Sequence, residues 1–170
     1  MPDQIAYNGN ATLKAFIEGN YPKQKLKEVE SLRYLYISKY YETNLKKFYS
    51  KTQKNKRLLV VGDYVEKNTF KQLKILDLAL PLLNSKILIC FKPHPASSID
   101  ISFFSRIKMK IETKSLEEII HDFDIVYSSA STSASVDAYC AGLKVMSYFD
   151  GEDLNLSPLR GYKGAIFISS

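Results

Sequence analysis

The chain has 170 residues, 45% of them apolar, and a net charge of +6, enough for one globular domain, or a domain with a flanking piece, and for a core of useful size. No apolar run approaches the ~20 residues of a membrane span, and Met1-Pro-Asp-Gln-Ile-Ala-Tyr7 reads without a basic and apolar leader. Cys90 and Cys140 sit inside apolar elements with neither disulfide nor metal spacing, the usage of a reducing compartment, so a cytoplasmic protein is expected.

Residues 1–30 read as irregular with one short helix. Asn8-Gly9-Asn10 is a turn signal, Ala11–Glu18 is helical with Leu13, Phe16 and Ile17 on one side, Gly19 stops it, and Tyr21-Pro22 breaks the chain. Ser31 to about Ser50 is a second helix, with Leu32, Leu35, Ile37 and Tyr41 as its apolar face. The positive charge is concentrated in residues 23–57, from Lys23 through Lys46, Lys47 and Lys51 to Lys56 and Arg57. Such a patch suits nucleic acid, an anionic leaflet or a phosphorylated substrate, or is a solvated helix face. No nucleic-acid module signature accompanies it, so no nucleic-acid partner is expected; the inner face of a membrane is the macroscopic surface it would meet.

From there strands and helices alternate. Leu58–Val61 is a buried strand ending at Gly62-Asp63-Tyr64, and Thr69–Leu83 is an amphipathic helix capped by Asn68 and interrupted by Pro81. Ile87–Phe91 is a strand that runs into Lys92-Pro93-His94-Pro95. A helical turn at Ile101–Ser105, a strand at Met109–Glu112 and a short helix opened by the capping box Ser115-Leu-Glu-Glu118 follow. Ile125–Tyr127 is the next strand. After Ser128, Ser129, Ser131, Thr132, Ser133 and Ser135 comes a helix with Val136, Tyr139 and Cys140 on one face, stopped by Gly142. Lys144–Phe149 and Ala165–Ile168 complete the set.

Short buried strands separated by helices imply an α/β fold: a Rossmann-like three-layer αβα domain on a mainly parallel sheet of five or six strands, with a helical N-terminal flank. The expected division is 1–56 as interdomain segment and connecting helix and 57–170 as the Rossmann-like domain. In such sheets ligands lie beyond the carboxyl ends of the strands. Polar clusters fall at those ends: Gly62-Asp63-Tyr64, Lys92–Pro95, Glu112–Glu117 and Ser128–Ser135. The last joins a strand to a helix through small hydroxyl residues, the makings of an anion site, where unpaired first-turn N–H groups and the hydroxyls face a phosphate.

His94, between two prolines, is held on a stiff loop, able to donate a hydrogen bond to a phosphate oxygen or to serve as a general acid for a departing phosphate. Lys92 is either a second phosphate contact or a surface lysine. Glu117 and Asp137 are candidates for ribose hydroxyls, and His121 is expected to serve the carbonyls of its own helix. The acidic loop Asp150–Asp153 has no His or Cys at ligand spacing, so no metal site is expected. There is no Gly-x-Gly-x-x-Gly, Walker or nucleophile-elbow motif.

Two of these motifs resemble a known family. Lys92-Pro93-His94-Pro95 is similar to the His-Pro motif of bacterial sialyl- and polysialyltransferases, and Ser128–Ser135 with Asp137 and Gly142 is similar to their Ser/Thr motif. Residues 57–170 thus resemble the donor-binding C-terminal half of a GT-B glycosyltransferase, sialyltransferase-like, of surface polysaccharide biosynthesis. The resemblance implies a CMP-sugar donor, a glycan acceptor and no further cofactor. It implies that His94, the catalytic candidate, and the hydroxyls of Ser128, Ser129, Ser131, Thr132 and Ser133 bind one nucleotide phosphate. Lys92, Pro95, Gly62, Asp63 and Asp137 would be further donor-binding positions, and Glu117 would bind the ribose. In that family the catalytic base belongs to the other domain, so this chain is expected to be a fragment that transfers no sugar alone. Polyol-phosphate transferases and nucleotide-sugar epimerases share the half-fold, and a non-catalytic flavodoxin-like interaction domain is the reading of a different class.

Overall fold

The computed structural model describes residues 2–30, 32–37, 40–41, 56–83, 86–151, 155 and 157–169. The chain divides into two compact units, residues 1–35 and 36–170. In the first, β1 (Ile5–Tyr7) pairs in parallel with β2 (Leu26–Glu28), with α1 (Asn10–Glu18) between them in sequence. A parallel pair requires such a crossover. Gly19 ends α1 as expected, donating its N–H to Ala15 O, and Asn20 follows at φ 58°, a left-handed angle that Asn tolerates. The sequence does not reveal these two strands, because each has three residues and no buried one, too little for alternation to register.

Of the helix expected over Ser31–Ser50, residues 35–37 and 40–41 are helical and Leu32–Tyr34 is a 3-10 turn; 31, 38–39 and 42–50 lie outside the described residues. The expected apolar face does not form. Ile37 is buried, whereas Leu32, Leu35 and Tyr41 are exposed. Leu32 lies in the 3-10 turn, which advances each residue by about 120° instead of about 100°, and Leu35 and Ile37, two apart, point about 200° away from each other around an α-helix.

The second unit is a six-stranded, wholly parallel sheet: β3 (Lys56–Val61), β4 (Ile87–Lys92), β5 (Met109–Ile111), β6 (Ile125–Ser129), β7 (Lys144–Phe149) and β8 (Ala165–Ser169), in the order β5-β4-β3-β6-β7-β8. This is the α/β Rossmann-like architecture expected. α2 (Glu66–Ala79) connects β3 to β4. α3 (Leu116–Ile119), continued by a 3-10 turn, connects β5 to β6, and α4 (Ala134–Cys140) connects β6 to β7. The winding runs outward from β3 through β4 to β5, then returns to the far side of β3 and runs outward again. Right-handed crossovers in opposite directions put α2 and α4 on opposite faces.

Each face has its own apolar row. Leu58, Val60, Ile89, Phe91, Tyr127 and Tyr148 form one core with Leu73 and Leu76 of α2. Leu59, Val126 and Val145 are register partners across three strands and all 0% exposed, so they line the other face. Alternation of two buried faces is why these strands read as unbroken apolar runs.

Two helices differ from expectation. α2 begins at Glu66, three residues before Thr69, and Val65 rather than Asn68 precedes it. The Asp63 carboxylate accepts the Val65 N–H at 2.8 Å, turning the chain into the helix early. As expected, Pro81 ends it, with a 3-10 turn over Leu80–Leu82. On α4 the buried residues are Ala134, Ser135, Asp137 and Ala138, while Val136, Tyr139 and Cys140 are only half-buried. Small side chains let the helix lie close on β6 and β7, which the apolar spacing does not convey. The Ser115 capping box forms in full, with the Ser115 N–H donating to Glu118 Oε2 at 2.8 Å.

Candidate functional site at the carboxyl rim

The reversal in strand order lies between β3 and β6, so the crevice beyond their carboxyl ends is the expected ligand position. Three loops meet there. The β3 loop, Gly62-Asp63-Tyr64, is central and touches both neighbours. On the β4 side, the Gly62 N–H donates to Lys92 O at 2.9 Å, and Tyr64 packs edge-on against the His94 ring with centroids 5.6 Å apart. On the β6 side, Asp63 Oδ2 accepts from both Ser129 Oγ and Ser131 Oγ. The His94 loop and the serine turn therefore share one rim. As next-nearest strands, β4 and β6 release them about 10 Å apart.

His94 is half-buried, and its Nδ1 accepts the Ala96 N–H at 3.2 Å. A nitrogen that accepts carries no hydrogen, so neutral His94 holds its proton on Nε2. The loop bonds back on itself, with the Ser97 N–H donating to His94 O at 3.0 Å. Exposed Pro95 is part of that loop. Lys92 Nζ donates to Lys114 O, tying its ammonium to the loop after β5. Glu112 accepts from the N–H groups of Thr113 and Lys114, which holds its carboxyl below the usual range.

Asp63 is 3% exposed. Burial pushes its pKa up, but hydrogen bonds from Ser129, Ser131, Val65 and Asn68 together outweigh that, and the carboxyl lies below its ordinary value. Its own N–H donates to Thr69 Oγ1 at 2.8 Å, so the β3 loop and the first turn of α2 are one bonded unit.

The six hydroxyls of the serine run are not equivalent. Ser128 is 0% exposed, with its hydroxyl on the buried α4 face of the sheet rather than on the rim. Ser135, also 0% exposed, donates to Thr132 O at 2.8 Å. Ser129 and Ser131 donate to Asp63. Thr132 Oγ1 accepts from the Ala134 N–H at 3.4 Å, which leaves its own hydrogen for another acceptor. Exposed Ser133 precedes α4, and its carbonyl takes the N–H groups of Val136 and Asp137. Most of the first-turn donors of this seven-residue helix are thus used locally. Asp137 is 6% exposed, on the buried face of α4.

Glu117 is exposed in the first turn of α3, after the edge strand β5. His121 lies before β6, at the opposite end of the sheet from the rim, stacked on Tyr40 with centroids 5.3 Å apart. Asp150, after β7, pairs with Lys71 of α2; residues 152–154 lie outside the described residues.

Two further residues at the site are not singled out by the sequence. Gln72, 0% exposed, donates to Tyr127 O at 2.9 Å and Val61 O at 3.3 Å, fastening α2 to the ends of β3 and β6. Its only mark is a polar side chain one position from Leu73 on a buried helix face. Tyr64, 70% exposed, lies at a strand end that marks the site without singling it out.

Neither a protein-family model nor a curated protein sequence matches the chain. Among solved structures it is similar to Thermosulfurimonas dismutans KpsC, a beta Kdo 2,7 transferase, at 15% identity and a TM-score of 0.44, over 85% of this chain and 64% of that one. It is also similar to WaaG, a glycosyltransferase involved in lipopolysaccharide biosynthesis, at 15% identity and a TM-score of 0.48, over 98% of this chain and 49% of that one. The chain spans less than two thirds of either, and likeness at this level assigns no residue and no reaction. Among the described residues, no helix is long and apolar enough to cross a membrane.

Proposed function

We propose that the six-stranded unit is the nucleotide-sugar-binding domain of a glycosyltransferase of surface-polysaccharide or lipopolysaccharide biosynthesis, with a CMP-linked acidic sugar as donor and a glycan as acceptor. One observation carries the reading: His94, with its proton fixed on Nε2 by the Ala96 N–H, stands on the same rim as the serine turn, beside the reversal in strand order. A donor N–H preset on a stiff loop needs no reorganisation when negative charge grows on a departing phosphate. The Thr132 hydroxyl is a second such donor. The His-Pro and Ser/Thr resemblances support the CMP assignment over other nucleotides. In this reading the metal's usual part, neutralising the leaving phosphate, falls to these donors, and the catalytic base comes from a domain beyond this chain. The basic segment that would meet a membrane is residues 23–57, of which 31, 38–39 and 42–55 lie outside the described residues.

Thermal shift with CMP, CDP, UDP and GDP tests this. A ligand at 100 times its Kd stabilises by about 2.7 kcal/mol, which for a chain of this size is about 5–10 °C. CMP should give that shift and His94→Ala should lose most of it. A response to CDP or UDP alone would favour a polyol-phosphate transferase or an epimerase. No response to any nucleotide would leave the interaction-domain reading.

A further inference from the structure

The polar groups on the rim differ in the polarity they present. The Asp63 carboxylate accepts from Ser129 Oγ, Ser131 Oγ, Val65 N and Asn68 Nδ2. An ionised carboxylate only accepts, and a hydroxyl has one hydrogen. Both serine hydrogens therefore point inward at Asp63. The two serine oxygens, 3.1 Å apart, have none left to share between them or to offer outward. Ser129 is 2% exposed and Ser131 is exposed, so the rim shows a lone pair of Ser131 Oγ backed by a negative charge. A phosphate oxygen there meets its own polarity. A hydroxyl meets an acceptor. His94 and Thr132 present the reverse, an N–H and an O–H.

We propose that Asp63, Ser129 and Ser131 form an acceptor site for a sugar hydroxyl of the bound ligand, distinct from the phosphate position at His94, and that Asp63 sets its polarity by holding both serine hydrogens. Asp63 is a positioning residue; Ser131 makes the contact. The inference rests on the nucleotide-sugar reading. The hydroxyl belongs either to the ribose or to the transferred sugar.

The test is calorimetric titration of the full chain with CMP, 2′,3′-dideoxy-CMP, CMP-sialic acid and inorganic pyrophosphate. Ser131→Ala should weaken a hydroxyl-bearing ligand about tenfold and leave pyrophosphate unchanged. A loss already present with CMP and absent with dideoxy-CMP identifies the ribose; a loss only with CMP-sialic acid identifies the transferred sugar. Asp63→Asn, which removes the charge and releases the serine hydrogens, should weaken the same ligand yet tighten pyrophosphate, a reversal that a purely structural role would not produce. Should Asp63→Asn not fold, the exposed Ser131 position still decides. Pyrophosphate weakened as much as nucleotide by Ser131→Ala, or no change with any ligand, overturns the acceptor site alone. If none of the four binds the wild type, the nucleotide-sugar reading falls, and this inference with it.

Discussion

Gly62 is the point at which packing and site meet, and Gly62→Ala measures how tightly. A methyl added at Gly62 would lie 3.2 Å from His94 N and 3.4 Å from two atoms of the Phe91 ring. Neither neighbour yields cheaply. Phe91 is 1% exposed within the α2-face core, and His94 N is backbone held between two prolines. Relief of a few tenths of an ångström must come from the His94 loop. Overpacking costs about 1–3 kcal/mol, against which alanine's less flexible unfolded chain returns about 0.4–1 kcal/mol. The small displacement puts the cost at the low end, so a net loss of about 0.5–1.5 kcal/mol is expected, or roughly 1–6 °C in Tm. Gly151→Ala is the control: its added methyl meets nothing within 4 Å, so it should be neutral or stabilising by up to about 1 kcal/mol. Urea denaturation followed by circular dichroism gives the stabilities, and the ring shifts of His94 report the loop. A Gly62→Ala protein as stable as wild type, with His94 resonances in place, would refute the reasoning.

Gln72→Leu keeps the volume but removes the donors to Val61 O and Tyr127 O; a loss of about 1–3 kcal/mol is expected in urea, and wild-type stability would mean that the fastening of α2 to β3 and β6 is not needed. Ser115→Ala removes the hydroxyl that accepts the Glu118 N–H and donates to Glu118 Oε2, leaving the bond from the residue-115 backbone N–H, and should cost about 0.5–2 kcal/mol, with faster amide exchange confined to residues 116–122 as the local sign. The Asp63 carboxyl has a folded pKa below its ordinary 3.8. Its stabilising contribution is therefore complete above that ordinary value and is lost as pH falls from there through the folded value. The stability difference between wild type and Asp63→Asn should be constant from pH 7 to 5 and shrink below roughly pH 4; a difference that grows on acidification would show the sign to be wrong.

The His94 loop and the serine turn are legible in the sequence because both are local signals, a proline-flanked histidine and a run of hydroxyls, each directly after an apolar strand. What those hydroxyls do is not local. Ser128 and Ser129 are adjacent and chemically identical, yet strand pleating turns one into the α4-face packing and the other toward Asp63. Asp63 is 66 residues from Ser129, and only the pairing of β3 with β6 makes it the acceptor that takes the hydrogens of Ser129 and Ser131. The Asn68 cap failed for a related reason: a bond from Val65 N–H to Asp63, invisible as a pattern, started the helix earlier.

The sequence alone determined the alternation of buried strand and helix, and with it the parallel sheet, since a run of apolar residues too short for a helix and flanked by amphipathic helices has few other ways to bury both faces. It also marked where polar clusters end those strands. Strand order was decided only in three dimensions, because every crossover in a parallel sheet looks alike in sequence whichever side of β3 it lands on. That order places the reversal between β3 and β6, and so sets which cluster faces which and whether a serine on the rim gives a hydrogen or receives one.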